Sequence, residues 1–93
     1  MRIDKWLKVS RIIKRRGTAK DLCLDGDIFI NDKKAKPMSE IHVGDALVLI
    51  LGKHKITAKV LQIKEFAKKE DAEKMYQIID DSLFEEEKED VGL

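Results

Sequence analysis

The spacing of apolar residues changes once along this 93-residue chain, and that change limits the folds open to it. Up to Asp25-Gly26 the apolar side chains follow helical spacing, whereas from Asp27 to Ile63 they form short runs that are typical of strands. The length suffices for one domain with a modest core. The pattern therefore predicts an α+β fold in which two N-terminal helices pack on a small, curved, mostly antiparallel sheet.

Two short helices are predicted before the sheet. The first spans about Ile3 to Lys14, and Gly17 is expected to break it. Thr18 is then the expected N-cap of the second helix, which ends at Asp25-Gly26. Two short helices joined by a tight basic turn would form a helix-turn-helix-like unit.

Strands and a third helix are predicted from the remaining patterns. Asp27–Asn31 is typical of a short strand, and Asn31-Asp32 are turn residues that follow it. Ala46–Leu51 and Ile56–Ile63 predict two further strands. Residues 69–84 return to helical spacing, so we expect a C-terminal helix that docks on the sheet or on the first helix.

The charges are segregated along the chain. The net charge is only +1, but residues 1–69 hold 17 Lys/Arg against 8 Asp/Glu, whereas residues 70–93 hold 2 against 10. Within residues 1–20, eight basic residues stand against Asp4 alone. Because mixed signs serve solubility better than one sign, we interpret the N-terminal segment as a binding face for a polyanion.

The sequence offers little for catalysis or metal binding. The single cysteine, Cys23, is expected to be a buried apolar residue, and it fits a reducing cytoplasmic location. His42 and His54 lack partners at zinc-ligand spacing, and neither a phosphate-cradling glycine-rich loop nor a catalytic triad is visible. We therefore expect no enzyme activity, no cofactor and no metal. No signal peptide or long apolar span is seen, so no membrane partner is expected.

Two blocks of residues resemble the S4 RNA-binding domain. They are Met1–Leu7 with the basic run Lys14–Arg16, and Asp25–Asn31 with Lys36-Pro37 and Val43–Asp45. The resemblance covers about residues 1–65 and implies an S4-type (αL) fold. Residues 66–84 would then be a C-terminal helix packed on that domain, and residues 85–93 a disordered acidic tail.

One position departs from the pattern of this family. Many members have Asn-Gly at the turn where this chain has Asn31-Asp32. Aspartate tolerates a positive φ better than most residues but less well than glycine, so the placement of Lys33 and Lys34 is left open.

The resemblance implies that the basic helix-turn-helix meets ribosomal RNA. Folded RNA exposes phosphates and 2′-hydroxyls, so its recognition needs cations at phosphate spacing on a rigid scaffold. Arginine can grip a phosphate with two hydrogen bonds, and lysine acts as a point charge. The candidate RNA-binding residues are Arg2, Asp4, Lys5, Lys8, Arg11, Lys14, Arg15, Arg16, Lys20, Lys33, Lys34 and Lys36.

Two of the singled-out residues have competing interpretations. Asp4 either stabilises the start of the first helix or orients Arg2 or a neighbouring lysine. Trp6 either stacks on a base or packs in the core, and its place between Ile3 and Leu7 on the apolar stripe favours the core.

The length of the chain and Lys74-Met75-Tyr76 resemble stand-alone family members that act in ribosome-associated quality control. The resemblance implies a non-catalytic factor that binds rRNA of the large ribosomal subunit and stabilises peptidyl-tRNA in the P-site. Expected partners are that rRNA, tRNA, stalled ribosomal complexes and a quality-control tailing factor, and we expect a monomer. Alternatives are heat-shock-type recycling of free large subunits carrying nascent chains, an accessory module of an RNA-modifying enzyme, and a protein-interaction domain.

Overall fold

Helices and strands succeed one another largely where the apolar spacing changes. The computed structural model describes residues 1–83, and the predicted acidic tail at residues 85–93 lies outside them. The elements are α1 (Ile3–Val9), α2 (Arg16–Leu24), β1 (Ile28–Ile30), β2 (Lys33–Lys34), β3 (Ala46–Leu51), β4 (His54–Val60), α3 (Lys69–Ala72) and β5 (Tyr76–Leu83). A 3₁₀ turn, Glu73–Met75, joins α3 to β5.

The five strands form one antiparallel sheet in the order β2-β1-β3-β4-β5. In the centre of the sheet, Ile28 of β1 pairs with Leu49 of β3. The side chains of Ile28, Leu47 and Leu49 are fully buried. They form one core cluster with Ile3 and Trp6 of α1. The predicted α+β arrangement, with helices packed on a small antiparallel sheet, is therefore confirmed for this part of the molecule.

Trp6 anchors α1 to the segment that follows β4. Its ring is fully buried, and Nε1 donates a hydrogen bond to the Gln62 carbonyl oxygen at 2.9 Å. A buried indole usually needs such an acceptor, because its N–H would otherwise lose its bond to water. The core interpretation of Trp6 is confirmed, since no face of the ring is open to a base.

The first helix ends earlier than predicted, at Val9 and not at Lys14. Arg11 adopts the left-handed conformation, with φ 65°, and its N–H donates to the Lys8 carbonyl oxygen at 3.0 Å. A left-handed residue at this position ends a helix, although glycine is its usual occupant. Ile13 lies in the turn after α1 and is buried there. Its helical spacing from the apolar residues of α1 therefore does not indicate that the helix continues.

The prediction that Gly17 breaks a helix is also wrong. Helix α2 begins at Arg16, after an extended Arg15, and Gly17 lies inside its first turn, while Thr18 makes no capping hydrogen bond. The chain has already left the helical path at Arg11, and the first-turn N–H groups need no intrahelical acceptor. The predicted end of this helix is confirmed, because α2 stops before Gly26, whose φ is 80°.

A C-terminal helix is predicted over residues 69–84, but the described part of this range, up to Leu83, contains only the single α-helical turn α3. Ala72 and Met75 of the predicted apolar stripe are buried, but Ile79 and Leu83 are exposed on β5. Strand β5 pairs with β4 over most of its length. Strand β5 forms hydrogen bonds with the backbone groups at the edge of β4, which a local helix over the same residues would leave without partners. Tertiary context therefore overrides the helical spacing.

The Asn31-Asp32 turn accommodates aspartate at a positive φ. Both residues have positive φ, 49° and 73°, as a two-residue hairpin turn requires. Asn31 accepts a hydrogen bond from the Ala46 N–H at 3.0 Å, and its Nδ2 donates to Asp45 Oδ1 at 3.0 Å. Lys33 is thereby held in β2 opposite Ile30.

We expect Trp6→Phe to lower the free energy of unfolding by about 2–3 kcal/mol. The substitution leaves the Gln62 carbonyl oxygen without its partner and leaves part of a filled volume empty. Urea unfolding followed by circular dichroism measures the effect. Phe66→Leu is the control, since a side chain that is 84% exposed should change stability by less than about 0.5 kcal/mol. Equal stabilities of the two variants would contradict the anchoring role.

Candidate nucleic-acid interface

A groove of about 710 Å³ opens between α1, the turn that follows it, the start of α2 and residues 65–69. Its polar lining consists of six cationic side chains and one carboxylate among the described residues. They are Lys5, Lys8, Arg11, Lys14, Arg16 and Lys69, with Glu65. A concave surface lined by one sign of charge concentrates its field on the opposite charge, so the groove favours an anionic ligand.

Asp4 is the buried carboxylate behind this cationic surface. It is 2% exposed, and its Oδ2 lies 3.5 Å from Arg2 Nη2. Its Oδ1 lies 3.3 Å from Arg16 Nη2, an ion pair without hydrogen-bond alignment. A buried charge is costly unless it is paired, so the two guanidinium groups are held where they compensate it. The pair of contacts joins the start of α1 to the start of α2.

The two arginines remain accessible although Asp4 holds them. The side chains of Arg2 and Arg16 are 47% and 44% exposed, whereas that of Asp4 is 4% exposed. The free N–H groups of each guanidinium can therefore meet a ligand, and Asp4 itself cannot. Of the two interpretations of Asp4, orientation of Arg2 fits this geometry, and Arg16 takes the place of the expected lysine.

Two further candidate cations, besides Arg2 and Arg16, have partners within the protein. Lys5 Nζ donates to Glu65 Oε1, and this hydrogen bond and charge lower the pKa of the Glu65 carboxyl. Arg11 Nη2 donates to the Ala67 carbonyl oxygen at 3.4 Å. These contacts hold residues 65–67 against α1 and the turn after it. Lys5 and Arg11 thus form a wall of the groove.

Lys8 and Lys14 differ from these two residues. Both are exposed and line the groove, and neither forms an ion pair with a side chain in the part of the chain that the structure describes. Unpaired ammonium groups are free to exchange their water for a phosphate. The groove therefore contains both fixed and available cations.

The remaining candidates lie outside the groove lining. Arg15 and Lys20 are exposed at and along α2. Lys36 is exposed in a loop that lies against the start of α1, where the Pro37 carbonyl oxygen accepts a hydrogen bond from the Asp4 N–H at 3.3 Å. These residues extend the positive surface beyond the groove.

The two lysines of β2 are at the edge of the sheet. Lys33 and Lys34 are both exposed, and the Lys34 side chain passes close to Gly26 at the end of α2, 3.5 Å from where a Cβ would stand. Neither lines the groove. The hairpin therefore carries a second group of cations, separate from those of α1.

Phe66 and Lys69 are among the lining residues that were not predicted from the sequence. Both follow the expected end of the domain at residue 65, in the run Lys64-Glu65-Phe66-Ala67-Lys68-Lys69. An aromatic side chain among basic ones is itself a signal of nucleic-acid binding, and this signal was available in the sequence.

Cys23 is buried near Asp4, in agreement with the prediction of an apolar role. Burial, together with the negative charge of Asp4, raises the pKa of the Cys23 thiol to about 11. Within residues 1–83 no group of three or more His, Cys, Asp or Glu side chains is placed to hold a metal ion. The helices of the same residues are all too short or too polar to cross a bilayer.

Comparisons with known proteins agree with this architecture. The S4 domain family model matches residues 1–47. The chain is 46% identical over 86 residues to the RQC P-site tRNA stabilizing factor of Listeria monocytogenes. This match covers 92% of this chain and 94% of the relative. The Bacillus subtilis factor of the same name is 46% identical over 79 residues, or 85% of this chain and 92% of the relative.

A second group of relatives is more distant. The Heat shock protein 15 homolog of Aeromonas salmonicida is 31% identical over 65 residues, which are 70% of this chain and 49% of that protein. The solved trimeric structure of Vibrio cholerae Heat Shock Protein 15 superposes with a TM-score of 0.79 at 26% identity. The match covers 84% of this chain and 80% of that chain.

The helix pair, the antiparallel sheet and the match over residues 1–47 define an S4-domain protein. This result confirms the resemblance inferred from the sequence blocks. Within that class the chain belongs to the family of the RQC P-site tRNA stabilizing factors, since the identity extends over almost the whole length of such relatives.

We expect the Cys23 thiol to react slowly in the native protein. Thiolate is the reactive form, and a pKa of about 11 in place of 9.0 predicts roughly a hundredfold less of it near pH 8. Because folding raises this pKa, the neutral thiol contributes fully to stability below about pH 9, and its contribution is lost between about pH 9 and 11.

Labelling with a chromogenic disulfide reagent measures this rate. The native protein should react at least roughly a hundredfold more slowly than the same chain unfolded in guanidinium chloride, which serves as the control. A native rate within a few-fold of the unfolded rate would contradict the burial of Cys23.

Proposed function

We propose that this protein is a non-catalytic factor that binds rRNA of the large ribosomal subunit and stabilises peptidyl-tRNA in the P-site of stalled ribosomal complexes. The observation that carries the proposal is the groove, whose lining among the described residues holds six cationic side chains and one carboxylate. The relatives that match over most of the chain are named RQC P-site tRNA stabilizing factors, and this name suggests P-site tRNA as the target.

The rigidity of the groove supports RNA as the ligand. Asp4 links α1 to α2, and Lys5 and Arg11 hold residues 65–67 to the same structure. Cations on such a scaffold keep their mutual spacing before the ligand arrives, so less entropy is lost on binding. A-form RNA presents phosphates at fixed spacing and hides its base edges in a deep groove, which suits a rigid cationic surface.

The cations outside the groove suggest a second RNA contact. Lys33 and Lys34 on β2, with Lys36 in the next loop, are exposed and separate from the groove lining. In the proposal the groove holds rRNA and one of these neighbouring surfaces contacts tRNA. A protein that binds both at once favours the ribosomal state in which both are present, through its higher affinity for that state.

A quality-control tailing factor is the remaining partner that this function requires. A protein that holds the peptidyl-tRNA in place would act beside a quality-control tailing factor, which extends the stalled nascent chain. We infer that the protein acts as a monomer in the cytoplasm, since a single copy of the groove and the hairpin supplies both cationic surfaces.

A second candidate function is recycling of free large subunits that still carry a nascent chain. The fold similarity to Vibrio cholerae Heat Shock Protein 15, with a TM-score of 0.79, favours it. Against it stands the extent of similarity, because this chain spans only 49% of the Aeromonas salmonicida homolog but 94% of the Listeria factor. No feature of the described residues favours an accessory module of an RNA-modifying enzyme.

Sedimentation of tagged protein from cells tests the proposal. We expect the protein to co-sediment with large subunits that carry tRNA, and crosslinked RNA from that fraction to contain both rRNA and tRNA sequences. Recovery only with large subunits that lack a tailing factor would favour the recycling role. Protein that stays at the top of a low-salt gradient would refute both ribosomal roles.

We expect Lys8→Ala with Lys14→Ala to weaken binding to purified large subunits by roughly tenfold or more at low salt. If about six phosphates are contacted, the slope of log affinity against log salt is roughly −4 to −5 for the unmodified protein. Loss of two contacts should reduce the magnitude of this slope by about 2. Filter binding over a salt series measures both quantities.

The matched control removes the same charge elsewhere. Lys55 and Lys59 are exposed on β4 and do not line the groove. Lys55→Ala with Lys59→Ala should leave the slope unchanged. Equal effects of the two double variants would show that net charge, and not the groove, determines binding.

We expect Asp4→Asn to weaken binding although it makes the protein more positive. Coulomb attraction alone predicts tighter binding of RNA after this change. If Asp4 positions Arg2 and Arg16, loss of its charge releases both guanidinium groups, and affinity for large subunits should fall roughly 3- to 10-fold while the salt slope stays the same. Tighter binding by this variant would contradict the positioning role.

A further inference from the structure

Phe66 is an exposed aromatic side chain beside the cationic groove. It lines the groove and is 84% exposed, the highest exposure of any large apolar side chain in residues 1–83. Trp6 is fully buried, and Tyr76 packs partly against the core. Single exposed apolar residues are ordinary on protein surfaces, so exposure alone does not mark Phe66 as a binding residue.

The residues on both sides of Phe66 contact the N-terminal part of the protein, Glu65 through its side chain and Ala67 through its backbone. Glu65 accepts a hydrogen bond from Lys5, and the Ala67 carbonyl oxygen accepts one from Arg11. Ala67 also packs against the core cluster. The ring therefore stands on a fixed base but has little packing of its own, as a surface for an incoming group requires.

The charges around the ring restrict what that group can be. Lys8, Lys14 and Lys69 line the same groove and are exposed. A purely apolar peptide would cover the ring but would desolvate these ammonium groups without compensation. A nucleotide offers a flat π-face to the ring and a phosphate to the cations, so it satisfies both features of the groove.

We propose that Phe66 is a stacking platform for one unpaired base of the bound RNA, whose flanking phosphates lie on Lys8, Lys14 and Lys69. The inference rests on the proposed function and specifies its ligand: an RNA with a base extruded beside a helix, in preference to a fully paired helix. Because every base has a π-face, the subsite reads the presence of an unpaired base and not its identity. Stacking of this kind changes affinity by roughly 5- to 150-fold per base.

Two RNA hairpins that differ only by a single bulged 2-aminopurine test this subsite. The full chain should bind the bulged hairpin roughly 5- to 150-fold more tightly than the paired one. Phe66→Ala and Phe66→Leu should remove this preference, and Phe66→Trp should retain it. The salt slope for the paired hairpin should stay the same in all three variants, because none of them removes a cation.

The outcomes separate this inference from the proposed function. Equal binding of both hairpins by the unmodified protein, with a steep salt slope, would overturn the stacking subsite and leave the phosphate-binding groove intact. Binding of neither hairpin at low salt would overturn both. A preference that survives in Phe66→Leu would show an apolar contact without stacking. Weaker association of Phe66→Ala with whole subunits, at unchanged hairpin preference, would assign the ring to a protein contact; both results reject the inference.

Discussion

The buried carboxylate of Asp4 is the contact on which the arrangement of cations depends. It lies within 3.5 Å of two guanidinium groups that come from the starts of different helices. Without a negative charge at this point, Arg2 and Arg16 would repel each other and turn toward solvent. One acidic residue inside a strongly basic segment therefore organises the surface that the surrounding positive charges form.

The rest of the fold supports this surface through packing and through contacts at the rim of the groove. Helix α1 has only seven residues, and a helix of that length is not stable by itself in water. Burial of Ile3, Trp6 and Leu7 against the sheet holds it in place. The core beneath the positively charged face thus keeps α1 in place. The hydrogen bond from Trp6 to the Gln62 carbonyl oxygen fixes α1 to the segment after β4.

Several features were predictable because they depend on neighbouring residues alone. The strand Ala46–Leu51 lies where its continuous apolar run indicated, and the turn at Asn31-Asp32 has the positive φ values that these residue types allow. The end of α1 was not predictable in this way, since the left-handed Arg11 occupies a position that glycine usually takes. Strand β5 was missed because its partner, β4, lies far away in the sequence.

The sequence by itself determined which charges and apolar residues this protein has, and the order of helices and strands up to β4 except for the two-residue strand β2, which no apolar spacing indicated. Those properties follow from residue type and short-range spacing. Only the tertiary structure decided that Lys69 and Phe66 join Lys8 at one groove, that Lys33 does not, and that Asp4 faces two arginines. These relations arise when distant segments pack on a shared core, and their separation along the chain leaves no local pattern from which to infer them.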